Sequence, residues 1–310
     1  MDRRQGPARL IGLAALLLLG AADAPQLPIK EARWLKSPDL VADLTMLPAE
    51  CLAWPRNKAE RRSVAIGRVL FRSPLMLGGQ AARAGLSCSS CHRNGRTNPH
   101  FHFPGISSDP GTADVTASIM SSHRGDGIFN PKPIPDLGGD PAKLKISRDA
   151  AKGDLKTFIH GLITQEFDGA EPSEVALSSI AAYVRGLSPA ACREPESQPI
   201  SLESRLAEVD SAIALAKQSY ASGDAATGRD LLSAARSALG AIDERYQLAG
   251  LEGSRGQLTS ASETLFAIQE DPGGAGWKQW QHKWPAHKRA LRAAEPASLF
   301  NPAVLRKLVG

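Results

Sequence analysis

The sequence predicts a mainly α fold in two parts, a loop-rich N-terminal part and a small antiparallel helical bundle after it. Three observations carry this. Apolar residues recur at spacings of three and four through 202–268, the period of a helix with one buried face. Two shorter stripes of the same kind lie at 154–167 and 173–187. Between them and the N-terminal region, residues 72–150 are rich in Gly, Pro, Ser and Asn. So long an irregular stretch is unusual in a packed domain, and a bulky bound group is expected to organise it. With 310 residues the chain has room for about two domains, here 25–195 and 196–310.

Residues 1–24 stand apart. Arg3, Arg4 and Arg9 precede and flank an apolar run, 10–22, and "GAADA" supplies small residues for cleavage. This is the pattern of a cleavable secretory signal, and the run is too short to span a bilayer. No other segment is apolar enough to span. The mature chain is expected in the periplasm, an oxidising compartment.

The Pro-rich stretch 25–56 reads as an extended arm. "NKAERRSVAIGRVLF" (57–71) reads as a helix ending near Gly67 or Phe71, and short helical pieces are expected around Cys88–Cys91. In 154–167, Leu155, Phe158, Ile159, Leu162 and Ile163 form one apolar face. In 173–187, Ser173 is a candidate N-cap and Leu177, Ile180, Val184 and Leu187 form the stripe. A Pro- and Ser-rich linker, 188–199, leads to the bundle. There Leu202, Leu206, Val209, Ile213, Ala216 and Tyr220 make one helix, Leu231 to Tyr246 a second and Leu258 to Ile268 a third. "SGD" (222–224) is the first turn, with Asp224 as an N-cap. Short connections favour antiparallel neighbours. "DPGGAG" breaks the run before a last helix from Trp277.

The chain has four cysteines: Cys51, Cys88, Cys91 and Cys192. "CSSCH" at 88–92 matches C-x-x-C-H, the c-type haem attachment signature. The spacing has a mechanical reason. Two thiols add to the vinyl groups on one porphyrin edge, and the next histidine turns under the ring to bind iron. Three other readings compete. A zinc site would need a second ligand pair, and His100 and His102 would have to serve. A redox dithiol should follow a strand in a βαβ unit, which "GGQAARAGLS" is not. An incidental match with a structural disulfide is the third. The haem reading makes 25–195 a cytochrome c-like domain with long loops and one covalent haem c, tethered by Cys88 and Cys91 with His92 as axial ligand. The net charge of +5 comes without the dense basic footprint of a nucleic-acid binder.

Residues 65–95, "AIGRVLFRSPLMLGGQAARAGLSCSSCHRNG", resemble the first haem segment of bacterial di-haem cytochrome c peroxidases and the related MauG proteins. Gly67, Leu70, Phe71, Pro74, Leu75, Gly78, Ser87, Cys88, Cys91 and His92 fit that pattern in order. Residues 161–187 resemble the closing helix of a cytochrome c domain, and the bundle after 200 is not covered. The resemblance implies a peroxidase that passes electrons between two haems. This chain has one C-x-x-C-H where the family has two, so peroxide reduction would need an external electron donor. The resemblance also implies a distal histidine downstream of the motif, where His100, His102 and His123 lie.

For the sixth iron position the candidates are therefore His123 first and Met120 second, both on "ASIMSSHRGDG". Met46 and Met76 are the other mature methionines, and His160 reads as a surface histidine. Cys51 and Cys192 bracket the haem domain and are expected to form a disulfide. Trp277, Trp280 and Trp284, interspersed with Lys278, Lys283, Lys288, Arg289 and Arg292, read as an amphipathic helix packed on the bundle. A sharper reading makes 277–292 a basic docking face for an acidic redox protein or an anionic membrane surface. The two functions expected are a mono-haem electron carrier and, as the alternative, a peroxidase-like oxidoreductase.

Overall fold

The arm is only partly extended. A 3-10 turn, Lys30–Trp34, leads to α1 (Leu40–Thr45) and to strand β1 (Met46–Pro48). Asp39 starts α1 by accepting from the Ala42 N–H. The structure, a computed structural model, describes residues 27–149, 151–192 and 196–309, and the expected export signal lies outside them. The chain is mainly helical.

Asn57 caps α2 (Lys58–Phe71), which buries Val64, Ile66, Gly67, Leu70 and Phe71. The helix runs straight through Gly67. A Cβ there would lie 1.9 Å from the Ser179 carbonyl oxygen, so this glycine allows a neighbouring helix to approach and does not end its own. The loop-rich part follows. Its elements are α3 (Gly79–Arg83), α4 (Cys88–Cys91), the hairpin of β2 (His92–Arg93) and β3 (Arg96–Thr97), and the pair β4 (Thr112–Ala113) and β5 (Lys132–Pro133).

Asp154 caps α5 (Leu155–Gly161). The single helix expected over 154–167 widens instead into a π turn at Leu162–Glu166. Thr164 Oγ1 donates to the His160 carbonyl, a side-chain bond of the kind that loosens the ladder. Ser173 caps α6 (Glu174–Gly186) by accepting from Ala176 N–H, and α6 lies across Gly67 on α2. Strand β6 (Ser197–Pro199) then pairs antiparallel with β1, Met46 opposite Pro199.

The bundle is built from α7 (Leu202–Ala221), α8 (Ala225–Glu244), α9 (Glu252–Glu270) and α10 (Gly276–Ala294), followed by α11 (Pro302–Val309). Asp224 caps α8. Gln269 reaches Ser233 while Arg255 reaches Asp243, so α8 and α9 run in opposite directions. Helix α10 closes back on α7, also antiparallel. Trp284 Nε1 and Lys288 Nζ both donate to Asp210, at 2.6 and 2.7 Å, and Arg292 pairs with Glu203. Trp280 and Trp284 are buried and stacked, with ring centroids 4.7 Å apart.

One apolar cluster runs from α2 and α6 into the bundle, joining Leu70 and Ile180 to Leu206, Leu231 and Leu265. A second holds Leu77, Leu86, Phe101, Ile106, Met120 and Ile134 under the loops. A third joins the arm to the C-terminal helix through Ile29, Leu44, Leu299 and Leu305.

Candidate functional site

The Cys88–Cys91 turn is set by its own sequence. Ser90 Oγ accepts from the Ser87 N–H at 3.0 Å and the Ser90 N–H donates to the Ser87 carbonyl, which closes the single turn at its start. His92 ends the turn and begins β2. Asn94 and Gly95 follow with φ of +50° and +78°, the two-residue hairpin loop that Asn-Gly favours. The local signal for this turn is the Asn-Gly pair in "RNGR". The hairpin is tight against the core, since a Cβ on Gly95 would meet Leu187 Cδ1 at 2.5 Å.

That hairpin orients His92. The segment 134–137 is fastened to it by Thr97 Oγ1 to the Ile134 carbonyl (3.0 Å), Arg96 Nε to Asp136 (2.6 Å) and Leu137 N–H to the Gly95 carbonyl (3.0 Å). The fastening brings the Pro135 carbonyl to 3.0 Å from His92 Nδ1. A carbonyl only accepts, so Nδ1 carries the proton and the Nε2 lone pair is left to bind a ligand. Burial pushes the imidazole down to about 4, although the Pro135 bond and Asp136 pull the other way. The ring is therefore neutral at neutral pH, the form that ligates metals.

Cys88 and Cys91 are not bonded to each other. Burial pushes both thiols up to about 12. Both pack against the cluster that contains Met120 and Phe101. Cys51 and Cys192, in contrast, form a disulfide beside the Leu52–Leu187 bridge. Two thiols and a histidine with one nitrogen already engaged fit covalent attachment and single-sided ligation of a haem. Among the described residues, no three or more His, Cys, Asp or Glu side chains are grouped to hold a metal ion by themselves, as a closed zinc site requires.

A buried ionic network supports the hairpin from behind. Glu50 accepts from Arg68 Nε at 2.7 Å and from Arg72 Nη2 and Tyr183 Oη at 2.8 Å. Arg72 also donates to Asn94 Oδ1 at 2.8 Å, and Asn94 Nδ2 donates to the Pro48 carbonyl. Burial alone would raise the Glu50 pKa, but the Arg72 and Arg68 charges outweigh it and hold the carboxyl below its ordinary value. None of Glu50, Arg68, Arg72 or Tyr183 carries a local sequence signal, because their partners are remote in the chain.

The other candidates fall in different places. Met120 is fully buried in the cluster next to the two thiols. His123 is 63 % exposed, with Nε2 3.8 Å from Asp168. His100 Nδ1 lies 2.5 Å from Asp43, and His160 pairs with Glu171 at the surface. Met76 is buried in the main core and Met46 is exposed. On α10 the tryptophans turn into the bundle, while Lys278, Lys283 and Arg289 remain exposed. No helix among the described residues is long and apolar enough to cross a membrane.

Comparison of the chain with family models, with curated proteins and with solved structures finds no match.

Proposed function

We propose that this chain is an exported c-type cytochrome that carries one covalent haem c and transfers electrons. The observation that carries the reading is the state of "CSSCH". His92 Nδ1 is taken up by the Pro135 carbonyl, and the neighbouring thiols stay unpaired in a chain that makes a disulfide elsewhere. When bound, haem supplies reversible one-electron exchange at its iron. Cys88 and Cys91 would tether it, and His92 Nε2 would hold its iron. The β2–β3 hairpin and the 134–137 segment fix the imidazole plane. Met120 would be the second iron ligand in preference to His123, because its thioether lies in the apolar cluster that the thiols pack against, whereas His123 is exposed. A thioether ligand there would raise the reduction potential, as suits an electron carrier better than a peroxidase. A redox protein is the implied partner.

The purified protein should be red, with a Soret band that survives acid-acetone extraction, and Cys88→Ser with Cys91→Ser should abolish covalent attachment. Met120→Ala should turn a low-spin ferric spectrum high-spin, whereas His123→Ala should leave it unchanged. A colourless protein from cells competent in haem attachment refutes the reading. A spin change in His123→Ala but not Met120→Ala refutes the ligand assignment alone.

A further inference from the structure

The two sulfurs of the Cys51–Cys192 bridge are placed differently. Cys51 is 1 % exposed, whereas Cys192 lies at the surface. A thiolate opens a disulfide by attacking one of its sulfurs, and access decides which. Access here falls to Cys192. The departing sulfur, Cys51, must then hold a negative charge in a buried position, which is costly without a partner. That partner is in place. Arg96 Nη1 donates to Cys51 Sγ at 3.2 Å and to Cys192 Sγ at 3.6 Å. Asp136 clamps the same guanidinium through its Nε at 2.6 Å, and its other oxygen accepts from the Gly138 N–H at 2.9 Å. One part of the guanidinium is thus fixed and another is aimed at the bridge. A neutral disulfide is a weak acceptor, but a thiolate there makes a charge-assisted hydrogen bond. The arrangement favours the opened bridge more than the closed one, and a stabilised thiolate departs faster.

We propose that this bridge is a thiol–disulfide exchange site at which a protein dithiol attacks Cys192 and Cys51 leaves toward Arg96. The attacking thiolate forms a bond to Cys192 Sγ, the Cys51–Cys192 bond breaks, and its electron pair stays on Cys51. The second thiol of the partner then attacks the mixed disulfide, and its proton passes to the freed Cys192. The chain gains two electrons, and the partner's dithiol is oxidised to a disulfide. A dithiol suits the step better than single thiols, because its second thiol is held at high effective concentration and outruns the return of Cys51. The backbone keeps the opened site together. Ser188 N–H donates to the Cys51 carbonyl at 2.8 Å, and Ala49 N–H donates to the Glu196 carbonyl at 2.7 Å. Both cysteines therefore stay in place after reduction, and the bridge can re-form. The inference does not depend on what Cys88 and Cys91 carry.

The test is reduction of the full chain, as purified, by dithiothreitol, with the opened bridge counted by alkylation and mass. The bridge should open in native buffer at a rate that urea below the unfolding transition does not raise. Arg96→Gln removes the charge and should slow opening about tenfold, the loss of one charge-assisted hydrogen bond to the departing sulfur. Arg96→Lys keeps a charge there and should open faster than Arg96→Gln. Brief exposure of the parent chain to reduced glutathione, quenched with acid, should place the adduct on Cys192, and this measurement needs no variant. Opening only as fast as the chain unfolds, an adduct chiefly on Cys51, an Arg96→Gln chain that opens as fast as its parent, or an Arg96→Lys chain no faster than Arg96→Gln overturns the proposal.

Discussion

Adding one methyl group at each of two helical glycines should change stability in opposite directions. In a helix interior, Gly→Ala is worth about 0.8–1 kcal/mol from propensity alone. On α9, a Cβ at Gly256 meets nothing within 4 Å, so Gly256→Ala should stabilise by about that amount. On α2, a Cβ at Gly67 would lie 1.9 Å from the Ser179 oxygen, 2.4 Å from its carbonyl carbon and 2.9 Å from Ile180 N. Ordinary contact begins at 3.4 Å, so the gap must open by 3.4 − 1.9 = 1.5 Å. The obstacle is backbone, so no rotamer change can relieve it. The helices must separate, and Ile66, Leu70 and Ile180 lose contact. Overpacking costs about 1–3 kcal/mol, and a backbone clash belongs at the upper end. After the propensity gain, a net loss of about 2 kcal/mol remains for Gly67→Ala. At about 2 °C per kcal/mol for a chain of this size, the midpoint should fall by about 4 °C for Gly67→Ala and rise by about 2 °C for Gly256→Ala. Calorimetry and guanidinium unfolding of both variants measure this. If Gly67→Ala is as stable as the parent, α2 and α6 are not in backbone contact and the packing argument fails.

Three further outcomes follow from the buried carboxylates and the disulfide. Glu50→Ala leaves Arg72 buried without its carboxylate and should cost about 3–5 kcal/mol in urea unfolding, whereas a loss below about 1 kcal/mol would make the network a surface feature. Glu50 and Glu208 are both held below the ordinary carboxyl value of 4.5. Their contribution to stability is therefore complete above that value and is lost as pH falls through the lower folded values, and a flat stability profile from about pH 5 to about pH 3 would contradict it. Replacing Cys51 and Cys192 together by serine opens a loop with a sequence separation of 141 and should cost about 5 kcal/mol on the loop-entropy model. An unchanged denaturation midpoint would mean that the bridge constrains nothing in the unfolded chain.

The legible parts of the fold were those whose signal is local. Ser173 and Asp224 are N-caps in the structure, and each sat one residue before a periodic run. The leucine and isoleucine stripes of α7, α8 and α9 are buried where their spacing put them. Gly67 was ambiguous because a packing glycine and a helix-ending glycine look alike until the opposing helix is known. The π turn at Leu162–Glu166 lies within an apolar stripe that a regular helix would show equally well. In the candidate site, Cys88, Cys91 and His92 announce themselves by spacing. Pro135 does not, because its contribution is a backbone carbonyl brought to His92 by loop fastening. The Glu50 network is equally silent, since residues 50, 72, 94 and 183 meet only after folding.

The pairing of β1 with β6 has a topological consequence. Pro48 lies opposite Ser197, and the Cys51–Cys192 bridge closes just inside that point. The chain therefore departs at 48 and returns at 197 through a single doorway. Outside the doorway, Leu44 and Ile29 pack with Leu299 and Leu305, and Arg245 donates to the Leu44 carbonyl. The arm also bridges to the lobe, through the Leu35–Phe101 pairing and the Trp34 Nε1 bond to the Ala84 carbonyl, so it is clamped between the lobe and the helical part. The lobe that bears "CSSCH" therefore has its two ends tied together at one point, so that strain at either end is carried by the same strand pair and bridge.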